Sequence, residues 1–479
     1  MKRLFFFFIC LYVFSLSCTS KTISDSPNID LKSFFVESGA QYVLRNSHIF
    51  TDTLKIPKDS ELLFDGGVLS GPIVFDNTQL SGNVKLKGSS LSGRVSNKQF
   101  DASWLCIMDG ETDDAKSINE MIEVCGHVFF PRGTYRLKSA HNLNNKIGKR
   151  YHKSIRSHIG IRRSNVVLEG EKGTQFLTTD SLGTICLFSK PNSIDKSIRN
   201  IEIRNITFTV ENDGINFHEF LHTIKTIGVN GLTIENCKFN DFWGDAICLS
   251  HYGDNPKTGE RTLNQNVKIL GNTINGDSHN NRNGISVISG KNVLIKGNVI
   301  KNTSRKDMPG GIDVEPNNSA YTIENIRIEK NYIEGVWGNA ITLYINNKEA
   351  PAHHIEILSN VIKNSRKSGI AVAIKSDNTT DSIIIKSNHV HADTRPYLFR
   401  GNGKSKDWII SDNIFERPEL QSMPGKITVK NLVVSNNKKK RMIPWVIENY
   451  WEYGILAILF VGMFFLYNRC RKCRLFDFN

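Results

Sequence analysis

No disulfide framework is written into this sequence of 479 residues. Of its nine cysteines, Cys10 and Cys18 fall in the N-terminal apolar stretch and Cys470 and Cys473 in the tail. Cys106, Cys125, Cys186, Cys237 and Cys248 remain, an odd number without recurring spacing. The Cys470-x-x-Cys473 pair lacks the two further ligands that structural zinc requires. Helix-turn-helix, RNA-recognition and zinc-finger signatures are also missing, so no nucleic acid is expected as a partner, although Lys and Arg outnumber Asp and Glu by 61 to 47. That excess reads either as a solvated surface or as a field attracting anionic partners such as uronate-rich glycans. No linker-rich break divides the chain. A single core of this length is unusual unless the chain is a solenoid, in which stacked coils extend one core without limit.

Both termini carry apolar runs. Met1-Lys2-Arg3, an apolar stretch from Leu4 to Leu16 and the small residues Ser17-Cys18-Thr19-Ser20 have the layout of an export signal over residues 1–20. Ser15-Leu16-Ser17-Cys18 also forms a loose lipoprotein box in which Cys18 would be acylated. At the other end, residues 450–468 form an expected transmembrane segment, with Trp445, Tyr450, Trp451 and Tyr453 at one edge. Arg469, Arg471, Lys472 and Arg474 begin the basic tail, 469–479, at the other. These features predict an exported protein held in the cell envelope or periplasm, anchored to the membrane by lipid or by helix.

Between them the chain repeats one phrase. Ile201-Glu202-Ile203-Arg204-Asn205, Val267-Lys268-Ile269-Leu270-Gly271-Asn272, Val293-Leu294-Ile295-Lys296-Gly297-Asn298, Ile326-Arg327-Ile328-Glu329-Lys330-Asn331 and Ile355-Glu356-Ile357-Leu358-Ser359-Asn360 are copies of it. Others end at Asn236, Asn388, Asn413 and Asn436. The period varies from 23 to 36 residues and carries period-2 alternation with no helical pattern, as coils of a β-solenoid do. The recurring Asn is expected in a tight turn, bonded to the coils above and below. A second strand recurs in each coil: Ala246-Ile247-Cys248-Leu249, Gly284-Ile285-Ser286-Val287, Gly311-Ile312-Asp313-Val314, Ala340-Ile341-Thr342-Leu343 and Gly369-Ile370-Ala371-Val372. Short alternating runs in residues 21–104 predict a further N-terminal β-rich region ahead of a β-helix over 105–440.

The segment Asp109-Gly110-Glu111-Thr112-Asp113-Asp114-Ala115, a helical stretch to Cys125, and Val128-Phe129-Phe130-Pro131-Arg132-Gly133-Thr134-Tyr135 resembles the opening of pectate-lyase-superfamily and polygalacturonase-like proteins. The resemblance implies an all-β, right-handed parallel β-helix with a short capping helix at its N-terminal end. It is much less specific for reaction, since that superfamily holds hydrolases, lyases, epimerases and non-catalytic surface proteins.

If the second strands stack in register, their outward residues form a ladder. Two before the Ile stand Asp245, Asn283, Gly310, Asn339 and Ser368. One after it stand Cys248, Ser286, Asp313, Thr342 and Ala371, and three after it Ser250, Ile288, Glu315, Tyr344 and Ala373. Asp313 and Glu315, at i and i+2, would lie about 7 Å apart on one face, a spacing suited to glycosidic acid and base chemistry or to two Ca²⁺ ligands. Asp245 would sit two coils away, roughly 10 Å along the axis. His251 is a candidate base, and Arg282 a candidate fork for a substrate carboxylate. Asn283 and Asn339 are candidate substrate contacts, and Trp243, Trp337 and Tyr344 candidate sugar platforms. The Lys expected after the acid pair of β-helix lyases is absent, as are Gly-His-Gly and Arg-x-Lys motifs. These residues point to an enzyme cleaving or modifying a polysaccharide, with uronate-containing polymers as candidates, and with a non-catalytic adhesin or glycan-binding scaffold as the alternative.

Overall fold

The computed structural model describes residues 21–142, 156–179, 182–188, 197–211, 218–251, 263–277, 279–316, 321–345, 352–375, 380–416 and 427–439. From Phe100 onward, two twelve-stranded sheets and one ten-stranded sheet form the walls of a parallel solenoid. Each coil contributes one strand to each. The coil starting at Asn264, for example, runs Asn264–Leu270, Thr273–Asn275 and Ile285–Val287, before Gly290–Lys296 opens the next.

Alternation decides which way each strand faces. Leu232, Val267, Val293, Ile326, Ile355 and Ile383 stack in register and are buried. Ile234, Ile269, Ile295, Ile328, Ile357 and Ile385 form a second buried column two residues on. Full burial of each such side chain contributes about 1.5–3 kcal/mol, repeated at every coil. The intervening residues face outward and are mostly polar.

The turn after these strands is governed by two adjacent positions. Gly271, Gly297, Lys330, Ser359, Ser387 and Asp412 adopt left-handed φ, between 54° and 67°. The next residue in each case is a buried Asn: 272, 298, 331, 360, 388 and 413. Each donates Nδ2 to the Oδ1 of the Asn one coil on, at 2.9–3.0 Å, as far as Asn437. The expected ladder is therefore present, but three of its expected members stand one residue early. Asn205, Asn236 and Asn436 occupy the left-handed position themselves. Asn tolerates that conformation better than most residues, so the same letter serves either place.

The N-terminal residues also coil. Thr22–Ser24, Gln41–Leu44, Glu61–Phe64 and Pro72–Gly82 pair in parallel, and their core is continuous with the rest from Phe34 to Ile427. The expected helix spans Ala115–Val124 but is not at the end of the stack. It packs between the Ser90–Val95 and Arg156–Ile161 strands, with those coils ahead of it. The acids before it serve the backbone. Asp113 accepts from the N–H groups of Ala115, Lys138 and Ser139, and Asp114 from that of Ile107. Among the described residues no helix is long and apolar enough to cross a membrane. The expected export signal, Cys18 and the expected 450–468 span lie outside the described residues.

Candidate functional site

The ten-stranded sheet holds the second strands in the anticipated register: Cys248, Ser286, Asp313, Thr342 and Ala371 are successive neighbours. What the alternation does not reveal is that this outward face is covered. Cys248, Ser286 and Asp313 are all buried, with Asp313 fully enclosed. Asp313 is therefore no solvated surface acid.

Beside it the chain forms a cleft of about 620 Å³ whose lining includes Glu219, Arg282, Asp307, Asp313, Glu315, Asn339, Thr342, Tyr344, Lys367, Arg395, Leu398 and Arg400. Asp313 and Glu315 lean together within hydrogen-bonding reach. Burial and the charge of Glu315 together push the Asp313 carboxyl well above the ordinary carboxylate range. Asp313 Oδ1 has no hydrogen-bond partner among the described residues. Asn283 faces the other oxygen, its Nδ2 3.5 Å from Oδ2. The ~7 Å strand repeat thus overstates the gap. No water fits inside a hydrogen-bonded pair, so these two are not the spaced acid and base of an inverting site. Glu315, with 21% of its side chain exposed, is the member that meets the cleft.

Arg282 does not fork a substrate carboxylate as anticipated. It is buried, and its Nη1 holds Asp245 at 2.9 and 3.3 Å. Nη2 lies 3.6 Å from Glu315 and Nε 3.9 Å from Glu219. Burial opposes the charge of Asp245, but Arg282 and His222 outweigh it and hold that carboxyl below its usual range. Asp245, also fully buried, is consequently an anchor for the guanidinium and is not on the cleft wall. Asn283 completes the anchor: its N–H donates to Asp245, and its Oδ1 accepts from the Gly310 N–H at 2.7 Å.

The remaining candidates divide. Asn339 and Tyr344 line the cleft. Trp243 is buried against His218, their centroids 5.0 Å apart, which removes it as an open platform. Trp337 has the Arg366 guanidinium 3.5 Å from its ring centroid and Lys306 at 4.9 Å, so cations already occupy its π-surface. His251 stacks on Tyr321 at 3.8 Å, and burial lowers its pKa to about 4. It lies apart from the cleft lining.

A calcium ion does not fit the acid pair. A guanidinium stands 3.6 Å from Glu315, where a cation would have to compete with it for that carboxylate. His222, Asp245 and Cys248 do converge with donor atoms within 4.8 Å. However, Asp245 is neutralised by Arg282, and burial holds the Cys248 thiol protonated, so this trio reads as packing.

Sequence reasoning missed His222, Arg395, Leu398 and Arg400, which occupy the same ladder one coil beyond either end. Ile224 pairs with Ile247, and Ile370 with Tyr397. The signal was there, but Ile224-Lys225-Thr226-Ile227 and Arg395-Pro396-Tyr397 depart from the repeated phrase. Glu219, Asp307 and Lys367 lie outside the strands and carry no sequence signal.

Residues 222–403 match the family of right-handed β-helix regions. No sequence among curated proteins matches the chain. Among solved structures, a tailspike protein of Acinetobacter baumannii bacteriophage Fri1, a capsular polysaccharide depolymerase, is 13% identical at TM-score 0.46, covering 72% of this chain and 59% of its own. This chain therefore spans little more than half of that tailspike's length. A galactohydrolase of a sulfated galactan is 10% identical at TM-score 0.42, over 72% and 91%. The Streptococcus pneumoniae surface adhesin PfbA is 17% identical at TM-score 0.37, over 71% and 91%. The parallel solenoid stands independently of these likenesses, on the strand pairing above.

Proposed function

We propose that the protein hydrolyses glycosidic bonds of a polysaccharide laid along the ten-stranded sheet, with Glu315 as the group that meets the scissile oxygen. The observation that carries this reading is the close carboxyl pair at the cleft floor, the buried Asp313 beside Glu315, where burial and the neighbouring charge raise the pKa of the Asp313 carboxyl. A carboxyl kept neutral beside a charged one is how a site supplies an acid at a pH where free carboxyls have lost their protons. Glu315 passes the proton of the pair to the leaving oxygen as the C–O bond breaks. Water adds to the anomeric carbon, and a second carboxylate takes its proton. Glu219 is placed for that second role, since it contacts Arg282 from Nε while Glu315 contacts it from Nη2. Both carboxylates line the cleft, as a separate acid and base require. A lyase would require a basic side chain at the reacting end, where Arg282 is a permanently charged partner of Asp245; Lys367, Arg395 and Arg400 line the other end of the cleft.

The export signal and the hydrophobic segments support a place of action outside the cytoplasm, with the body tethered to the envelope. Protease accessibility on intact cells tests this. Degradation of the body without lysis supports it, and protection until lysis rejects it.

For the chemistry, the full chain is incubated with a panel of acidic and neutral polysaccharides while reducing ends and the absorbance of unsaturated uronates are both followed. New ends without absorbance identify a hydrolase; absorbance rising with them identifies a lyase. Activity that survives Glu315→Gln combined with Asp313→Asn rejects the site. Binding without any product would assign the cleft to a glycan-binding scaffold.

A further inference from the structure

The charges of the cleft are unevenly spread along its length, with Asp307 and Lys367 meeting between its two ends. Its carboxylates, Glu219, Asp307, Asp313 and Glu315, come from coils up to the Gly310–Val314 strand and the loops before it, whereas Lys367, Arg395 and Arg400 come from the coils beyond. From Gly310–Val314 to Arg395–Gly401 the sheet advances three strands, or ~14 Å. In register, a coil between them carries the small buried residues Ala371 and Ala373, where Thr342 and Tyr344 precede and Leu398 and Arg400 follow. Lys367, Arg395 and Arg400 are all exposed, in contrast to Arg282, which is buried among acids.

We infer that this far pole is a subsite for an oxyanion carried by the glycan, a carboxylate or a sulfate ester, with Arg395 and Arg400 as forks and Lys367 as a point charge. The inference rests on the hydrolase reading only for the orientation of the chain, since the reacting end is the carboxylate pole. It moves the acid-binding role expected of Arg282 four coils along the cleft. Leu398 lies between the two arginines in sequence, and its apolar side chain suits a sugar face better than a charged substituent. An anion seated at Arg395 or at Arg400, five residues apart on one strand, fixes the steps at which sugars follow toward Glu315.

The test uses the full chain bearing Glu315→Gln, which binds without turnover and so separates this inference from the hydrolase reading. Affinity is measured for a polyuronate, a sulfated galactan and an uncharged galactan, each at low and at physiological salt. Tighter binding of the polyuronate identifies a carboxylate as the oxyanion, and tighter binding of the sulfated polymer a sulfate. In either case affinity should fall with salt, and Arg395→Gln with Arg400→Gln should weaken the preferred acidic polymer about ten-fold or more while leaving the uncharged one unchanged. Arg400→Lys, which keeps the charge but loses the fork, should fall between. Equal affinity for acidic and uncharged polymers, or equal loss for both in the double variant, overturns the inference.

Discussion

Two ladders climb this solenoid, and they differ in what they repeat. The turn ladder presents Asn at 272, 298, 331, 360, 388 and 413 without interruption, each amide bonded to the next. The ladder of the ten-stranded sheet changes at every coil: Lys225, Cys248, Ser286, Asp313, Thr342, Ala371 and Leu398 are successive neighbours. Both are built on the same backbone and above the same aliphatic columns. A position whose task is to join one coil to the next has the same task everywhere, so it keeps one residue. A position that meets a substrate has a different task at each coil, so it does not. In a repeat protein, chemistry belongs where the repetition fails.

The comparison breaks if the two ladders respond alike to substitution. The largest expected effect is on activity: Glu315→Gln should lower the rate of polysaccharide cleavage by about 100-fold or more, the scale of a lost general acid, with the unfolding midpoint little changed. Asn331→Ala should do the opposite. It strands the buried amide of Asn298 and the N–H it served, costing about 1–3 kcal/mol in denaturant unfolding. Specific activity of the folded fraction should stay at the parent value.

A subtler contrast lies in pH. The folded-state pKa of Asp313 is raised above its ordinary value of 3.8, so the folded chain holds a proton that the unfolded chain releases. Its contribution to stability is complete below that value and declines as pH rises through the window up to the folded pKa. Asp313→Asn should flatten that decline when unfolding is followed from about pH 4 to pH 8, whereas the Asn ladder, which does not titrate in this range, should leave the decline in place when altered. A steeper decline in Asp313→Asn would contradict the raised Asp313 carboxyl. Smallest of all, Ser359→Gly should leave stability unchanged or raise it by about 0.5 kcal/mol, since Ser359 sits at φ 54° where glycine is at ease. A loss beyond about 1 kcal/mol would mean that the side chain does more than occupy the turn.

By itself the sequence determined the solenoid, its inward columns, the register of the second strands and the candidacy of Asp313 and Glu315, because each follows from period-2 alternation carried from coil to coil. It also placed the turn Asn to within one residue. It did not separate the two turn positions, since Asn suits both the left-handed residue and the buried one after it. Only the tertiary structure decided that the acid ladder is covered, that Arg282 serves Asp245 and the acids of the cleft, that Trp243 is packed away, and that Glu219 and Lys367 join the site from outside the strands. Burial and loop placement depend on contacts between residues far apart in the chain, and no local periodicity records them. The charge of Asp313 follows the same division: the carboxyl is written in the sequence, and its proton is kept by the surroundings that the fold puts around it.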